Sequence, residues 1–113
     1  MTGMAWIYLM VAGLLEIGWA IGLKYTEGFS KLWPSLGTLC AMIASFALLA
    51  VALKSIPVGT GYAVWTGIGA AGTALVGMLF LGESRELLRI LCLVLIIAGV
   101  VGLKFASTAA PGQ

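Results

Sequence analysis

The stretch Met4–Leu23, "MAWIYLMVAGLLEIGWAIGL", decides the fold. It holds a single charge, Glu16, in an otherwise apolar run. At about 1.5 Å of rise per residue, a helix of this length reaches across the ~30 Å hydrocarbon core of a bilayer. Three further runs match it, and the spans are read as residues 4–23, 32–53, 58–81 and 87–103. Helices are expected rather than strands, because an open strand cannot satisfy its backbone in lipid.

Composition supports lipid as the solvent. The chain has 113 residues, 62% of them hydrophobic and only 9% charged. Soluble domains carry about 25% charged residues, so this chain is too poor in charge to cover a water-facing surface. The first run is read as a mature span and not a signal peptide: it has no basic leader, is too long, and contains Glu16. The formal net charge of +2 argues against a nucleic-acid partner. Histidine is absent, and Cys40 and Cys92 stand alone inside apolar runs, where they read as small packing residues. No metal-ligand spacing, cofactor motif or enzymatic constellation is present, so no metal, cofactor or catalysis is expected.

The connections are short: "KYTEGFSK" (24–31), "KSIP" (54–57) and "GESRE" (82–86). Short links predict antiparallel neighbours. Gly28 suits a turn, Pro57 a first helical position and Ser84 an N-cap. The chain reads as one four-helix transmembrane domain over residues 1–104, followed by a disordered tail over 105–113. All six basic residues lie at span ends, as do Glu27, Glu83 and Glu86. In an up-and-down bundle Lys24, Lys31, Arg85 and Arg89 fall on one side, and Lys54, Lys104 and the amino terminus on the other. That bias is too small to fix one orientation by the positive-inside rule.

Glu16 is the candidate site. A charged group at this depth costs at least ~2.5–3.5 kcal/mol on insertion scales. No span interior contains Lys, Arg or His, which leaves a proton, a mobile cation or another copy of the chain as its partner. The competing reading is a protonated glutamate that serves packing alone. Gly13 and Trp19 flank Glu16 at i−3 and i+3 on one helix face. Residue counts from the span ends bring Ser45 and Trp65 toward the same depth, with Tyr62 one turn from Trp65. Hydroxyl and indole N–H groups donate to carboxylates, and Trp and Tyr faces attract cations. Glycines 59, 61, 67, 69 and 72 of the third run permit close packing or a bend. Ala98, Gly99 and Gly102 suggest a contact face on the fourth.

"EIGW" in the first span, "KYTEGFSKLWPS", "ASF" (44–46) and "PVGTGYAVWTGIGA" in the third span together resemble the small multidrug resistance family of bacterial transporters. Trp19, "TGIGA" (66–70) and "GLK" ending at Lys104 resemble its guanidinium exporter branch. The resemblance implies an antiparallel homodimer in the bacterial inner membrane, inserted in both orientations. Two copies of Glu16 would exchange protons for one small guanidinium-type cation, with Gly13, Trp19, Ser45, Tyr62 and Trp65 around them. Trp19, Ser45 and Tyr62 would hold the carboxylate while Trp65 offers a ring face. Helix four would make much of the dimer contact, although Cys92 stands where the drug-exporting branch carries glycine. Rival readings are a quaternary-ammonium exporter of the same fold, a non-transporting assembly or chaperone-like subunit, and an ion channel.

Overall fold

The computed structural model describes residues 2–109. Four helices form: α1 (Thr2–Tyr25), α2 (Leu32–Ala52), α3 (Val58–Phe80) and α4 (Leu87–Ala109). Each is long and apolar enough to cross a membrane. Large apolar side chains point outward from the protomer, among them Ile43, Phe80 and Leu95 at 68%, 78% and 70% exposure. In water such a surface drives association; against lipid it is the solvated face.

The fold expectation holds for the four helices, with differences at their ends. Pro57 is the N-cap of α3, one position before the first helical residue, with φ −54°. Ser84 does not cap α4; its Oγ accepts from Glu86 N at 3.2 Å, two residues on. The tail expected to be disordered from residue 105 is helical as far as Ala109, and residues 110–113 lie outside the described residues.

α1 is the centre of the protomer. It packs against α2 on one side and α3 on the other, while α2 and α3 barely meet and the backbone of α4 approaches only α3. Glycines carry these approaches. A methyl group at Gly22 would fall on Thr38, one at Gly13 on Ile68, one at Gly72 on Ile17, and one at Gly67 on Val100. The α3 glycines thus mark close packing along one unbroken helix, where α1 and α4 approach it from two sides. The α1–α3 pairs rise in number together, so α1 and α3 run the same way, with α2 and α4 opposed.

The buried core comprises Ala5, Leu9, Ala12, Leu49, Ala52, Ile56, Val64 and Trp65. Beyond it, Lys104 places its ammonium 4.8 Å from the centroid of the Trp6 ring, tying the end of α4 to the start of α1. Cys40 and Cys92 are free and exposed, so neither packs inside the protomer as the sequence suggested.

The α1–α2 turn is left-handed at three successive residues, Glu27 (φ 49°), Gly28 (73°) and Phe29 (67°). Buried Thr26 holds it: its hydroxyl donates to Leu23 O at 2.8 Å and accepts from Phe29 N at 3.2 Å. At the α3–α4 connection, Gly82 (φ 73°) turns the chain and Arg85 folds back. Its Nε and Nη2 donate to Met78 O at 3.1 and 2.9 Å, satisfying a carbonyl that the end of α3 would otherwise leave open.

Candidate functional site

Glu16 lies in the middle of α1, on the side facing α3. Its carboxylate rests on the bare Cα of Gly69, in space that a Cβ would occupy. Its Oε1 is buried and has no hydrogen-bond partner. One turn further, Trp19 Nε1 is also buried and unpartnered. An acceptor and a donor at i and i+3, both unpaired, form an incomplete polar site whose two halves are complementary.

Around them stands a group of aromatic rings contributed by three helices. Trp19 of α1 sits 5.9 Å from Phe46 of α2 and 6.5 Å from Trp65 of α3, centroid to centroid. Phe46 and Trp65 are 5.4 Å apart, and Tyr62 lies 5.6 Å from Trp65. All four pairs are tilted, within the separations at which aromatic pairs attract.

Behind the rings runs a fixed hydrogen-bond chain. Trp65 Nε1 donates to Ser45 Oγ at 3.0 Å, and Ser45 Oγ donates to Ala12 O at 2.7 Å. Ser45 is fully buried and Trp65 nearly so. The chain links α3 to α2 to α1 and locks the Trp65 indole plane.

The predicted site residues therefore divide. Trp19, Tyr62 and Trp65 join one aromatic group that Trp19 brings to within a turn of Glu16, and Ser45 bonds Trp65 behind it. Gly13 instead meets Ile68 and serves the α1–α3 contact. Ser45, expected beside the carboxylate, bonds one helical turn before it, at Ala12. Counting residues from Trp33 assumes that both helices start at equal depth, and the α1–α2 crossing does not respect that. Tyr62 is half-exposed and touches Trp65 rather than Glu16. Two residues not singled out from sequence complete the site. Phe46 bridges Trp19 and Trp65, and its place next to Ser45 was the available signal. Gly69 seats Glu16, and its spacing of four from Trp65 puts it on the same face of α3.

The arrangement suits a cation. Among the described residues the carboxyl of Glu16 has no positive partner, and one turn along α1 stands an aromatic group of the kind whose faces attract positive charge. Among the described residues no group of three or more His, Cys, Asp or Glu is placed to hold a metal ion.

Comparison with known proteins fits this geometry. The profile of the family described as "Small Multidrug Resistance protein" matches residues 4–96. The chain is 66% identical to the guanidinium exporter of Yersinia pseudotuberculosis over 104 residues, covering 92% of this chain and 100% of that protein. It is 60% identical to the guanidinium exporter of Escherichia coli K12, over 92% of this chain and 99% of that one. The match to the Salmonella typhimurium guanidinium exporter is 59% over the same shares. With its four apolar helices, and with similarity running along nearly its whole length, the chain is a multi-pass membrane protein that belongs to the small multidrug resistance family.

Proposed function

We propose that this protein exports guanidinium and small guanidinyl cations across the bacterial inner membrane, in exchange for protons, as an antiparallel homodimer. The observation that carries the reading is Glu16: the one carboxylate inside a span, with a buried oxygen that nothing among the described residues satisfies. A carboxylate at such depth needs either a proton or a cation. If each excludes the other, binding of one releases the other, and transport is coupled exchange. The names of the similar proteins support guanidinium as the cation.

Guanidinium fits the chemistry. It is planar and donates two parallel N–H bonds to a carboxylate. Trp19 Nε1, unpaired and one turn along the same helix, would donate to the same carboxylate and fix its plane. The faces of Trp65 and Tyr62 favour the positive charge beside it.

Dimerisation is supported by α4. No residue of its span Leu87–Ala106 is buried in the protomer. A Cβ added to Gly99 or Gly102 would meet nothing within 4 Å, so that small-residue face is open to a second copy. Two copies inserted in opposite senses would supply the symmetry that larger carriers build from inverted repeats.

The test is guanidinium-dependent proton flux in liposomes containing only this chain. We expect guanidinium moving one way to drive protons the other, and Glu16→Gln to abolish the exchange. Conduction unaffected by a proton gradient would point to a channel, and no flux at all to an assembly subunit.

A further inference from the structure

Four buried side-chain polar atoms lack a hydrogen-bond partner among the described residues: Glu16 Oε1, Trp19 Nε1, Ser35 Oγ and Thr73 Oγ1. The proposed exchange uses the first two and leaves Ser35, in the first turn of α2, and Thr73, on the helix that seats Glu16, unexplained. A threonine within a helix ordinarily donates its hydroxyl to the carbonyl four residues back, here Gly69 O. Thr73 does not. Native structures leave few buried hydroxyls unpaired, and each such group calls for a reason.

The position of Thr73 supplies one. Glu16 lies against Gly69 and Ile17 against Gly72, with α1 and α3 running in the same direction. Thr73 is one turn beyond Gly69, about 6 Å further along α3, at the depth of Trp19. Positions 62, 66, 69 and 73 are spaced i, i+4, i+7 and i+11 and share one face of α3. Tyr62, Thr66 and Thr73 thus set three hydroxyls along the face on which the Glu16 carboxylate rests. Tyr62 and Thr66 are exposed, whereas the Thr73 oxygen is closed off from solvent without a partner.

We infer that Thr73 is a specificity-determining residue whose Oγ accepts an N–H from the far nitrogen of the guanidinium bound at Glu16. The inference rests on the guanidinium reading above and extends it. A guanidinium paired in bidentate fashion with a carboxylate turns its third nitrogen away from that carboxylate, and all its hydrogens are donors. In a site closed to water that nitrogen needs its own acceptor. From carboxylate oxygen through the cation to a hydrogen-bonded acceptor is roughly 6–7 Å at ordinary hydrogen-bond lengths. That span is about one helical turn, the offset between Gly69 and Thr73. A quaternary ammonium has no N–H and gains nothing from this hydroxyl.

The test uses full-length protein in vesicles, comparing Thr73→Val, which keeps the shape, with Thr73→Ser, which keeps the hydroxyl. We expect Thr73→Val to raise the guanidinium KM about tenfold, equivalent to ~1.4 kcal/mol. The maximal rate and the pH titration of tryptophan fluorescence without substrate should stay unchanged. Thr73→Ser should restore the KM to within about threefold of the unmodified protein. Thr66→Val should have the smaller effect. If Thr73→Val does not insert, Thr73→Ala carries the same expectation. An unchanged KM, a KM shift accompanied by a shifted substrate-free titration, or a serine variant as weak as valine each overturns the role. A guanidinium KM left unchanged by Thr73→Val sinks this inference alone; absence of exchange from the unmodified protein sinks the transport reading with it.

Discussion

The carboxylate of Glu16 occupies the space where Gly69 would carry a side chain. The two residues lie on different helices, and the missing Cβ of one gives the other its seat. Gly69→Ala tests this directly. The glutamate is flexible at its far end, so the helices need not separate. The carboxylate must instead swing away from α3, toward or past Trp19. We expect a folded protein whose thermal midpoint moves by only a few degrees, about the effect of 1 kcal/mol or less. Guanidinium transport should fall at least tenfold, or by ~1.4 kcal/mol or more of lost binding. Normal transport in Gly69→Ala would show that the seat is packing alone.

The hydrogen-bond chain behind the rings makes a second prediction, about stability. Ser45→Ala leaves the buried Trp65 Nε1 without an acceptor, which costs about 1–3 kcal/mol. The Ala12 carbonyl loses its side-chain donor but keeps its place in the helix. Trp65→Phe removes the unpaired donor together with the indole. The double variant should therefore be less destabilised than the sum of the two single ones, by about 1 kcal/mol. Detergent-unfolding midpoints for the four proteins measure this. Strict additivity would mean that the 3.0 Å contact between Trp65 and Ser45 contributes nothing.

Much of this was legible in the sequence, for reasons that also set the limit. The spans follow from hydropathy and length, and Glu16 stands out because no other carboxylate lies inside a span. Counting along each helix also gave an expected depth for every aromatic. What the counting could not give was which helix touches which. These helices are apolar all round, so no stripe marks the buried side. The central place of α1 and the outlying place of α4 depend on where glycines let backbones meet. Ser45 shows the consequence: its depth was right to within a turn, yet its partner is Ala12 and not Glu16. Phe46 and Gly69 were hidden for a related reason. Each acts through a neighbour on another helix, and a single-helix pattern does not display that.

The α3–α4 turn makes a third prediction, in which two similar-looking interactions differ in weight. Arg85 places two N–H groups on Met78 O in a part-buried position. The Arg89–Glu83 ion pair, at 2.6 Å, lies on the exposed side. Exposed pairs contribute about 0–1 kcal/mol, while hydrogen bonds from charged groups contribute about 1.5–3. Arg85→Ala should destabilise more than Arg89→Ala, and high salt should erase only the effect of the latter. The reverse order in a thermal-stability comparison would refute the assignment.

A fourth prediction concerns pH. If proton and guanidinium compete for Glu16, lowering the pH protonates the site and apparent guanidinium affinity must fall. Raising it must strengthen binding until the carboxylate is fully ionised. Substrate-induced quenching of tryptophan fluorescence, followed across about pH 6 to 9, reports this because Trp19 and Trp65 border the site. A flat profile would place proton and cation at different groups. Glu16→Asp should keep a sloped profile with its midpoint moved, and Glu16→Gln should show none.

The last prediction concerns which cations pass. Trp19 is packed between Phe46 and Trp65, 5.9 and 6.5 Å away, so its ring is held against α2 and α3. Its N–H is unpaired and lies one turn from Glu16. Held in that way, the ring takes up room and offers a donor that fixes the carboxylate plane. A flat cation with several N–H groups gains from both. A quaternary cation has no N–H to align and loses the space. The unmodified protein should exchange guanidinium and methylguanidinium well and tetraphenylphosphonium poorly. Trp19→Gly removes the ring and the donor together. It should weaken guanidinium exchange at least tenfold, or by ~1.4 kcal/mol or more, while admitting larger cations. Phe46→Ala leaves the Trp19 donor in place but frees the ring to move. It should relax the exclusion of bulk with a smaller loss of guanidinium affinity. Competition among the three cations in vesicles separates these outcomes. Equal exchange of tetraphenylphosphonium and guanidinium by the unmodified protein would make it a broad cation exporter and remove Trp19 as the selecting group.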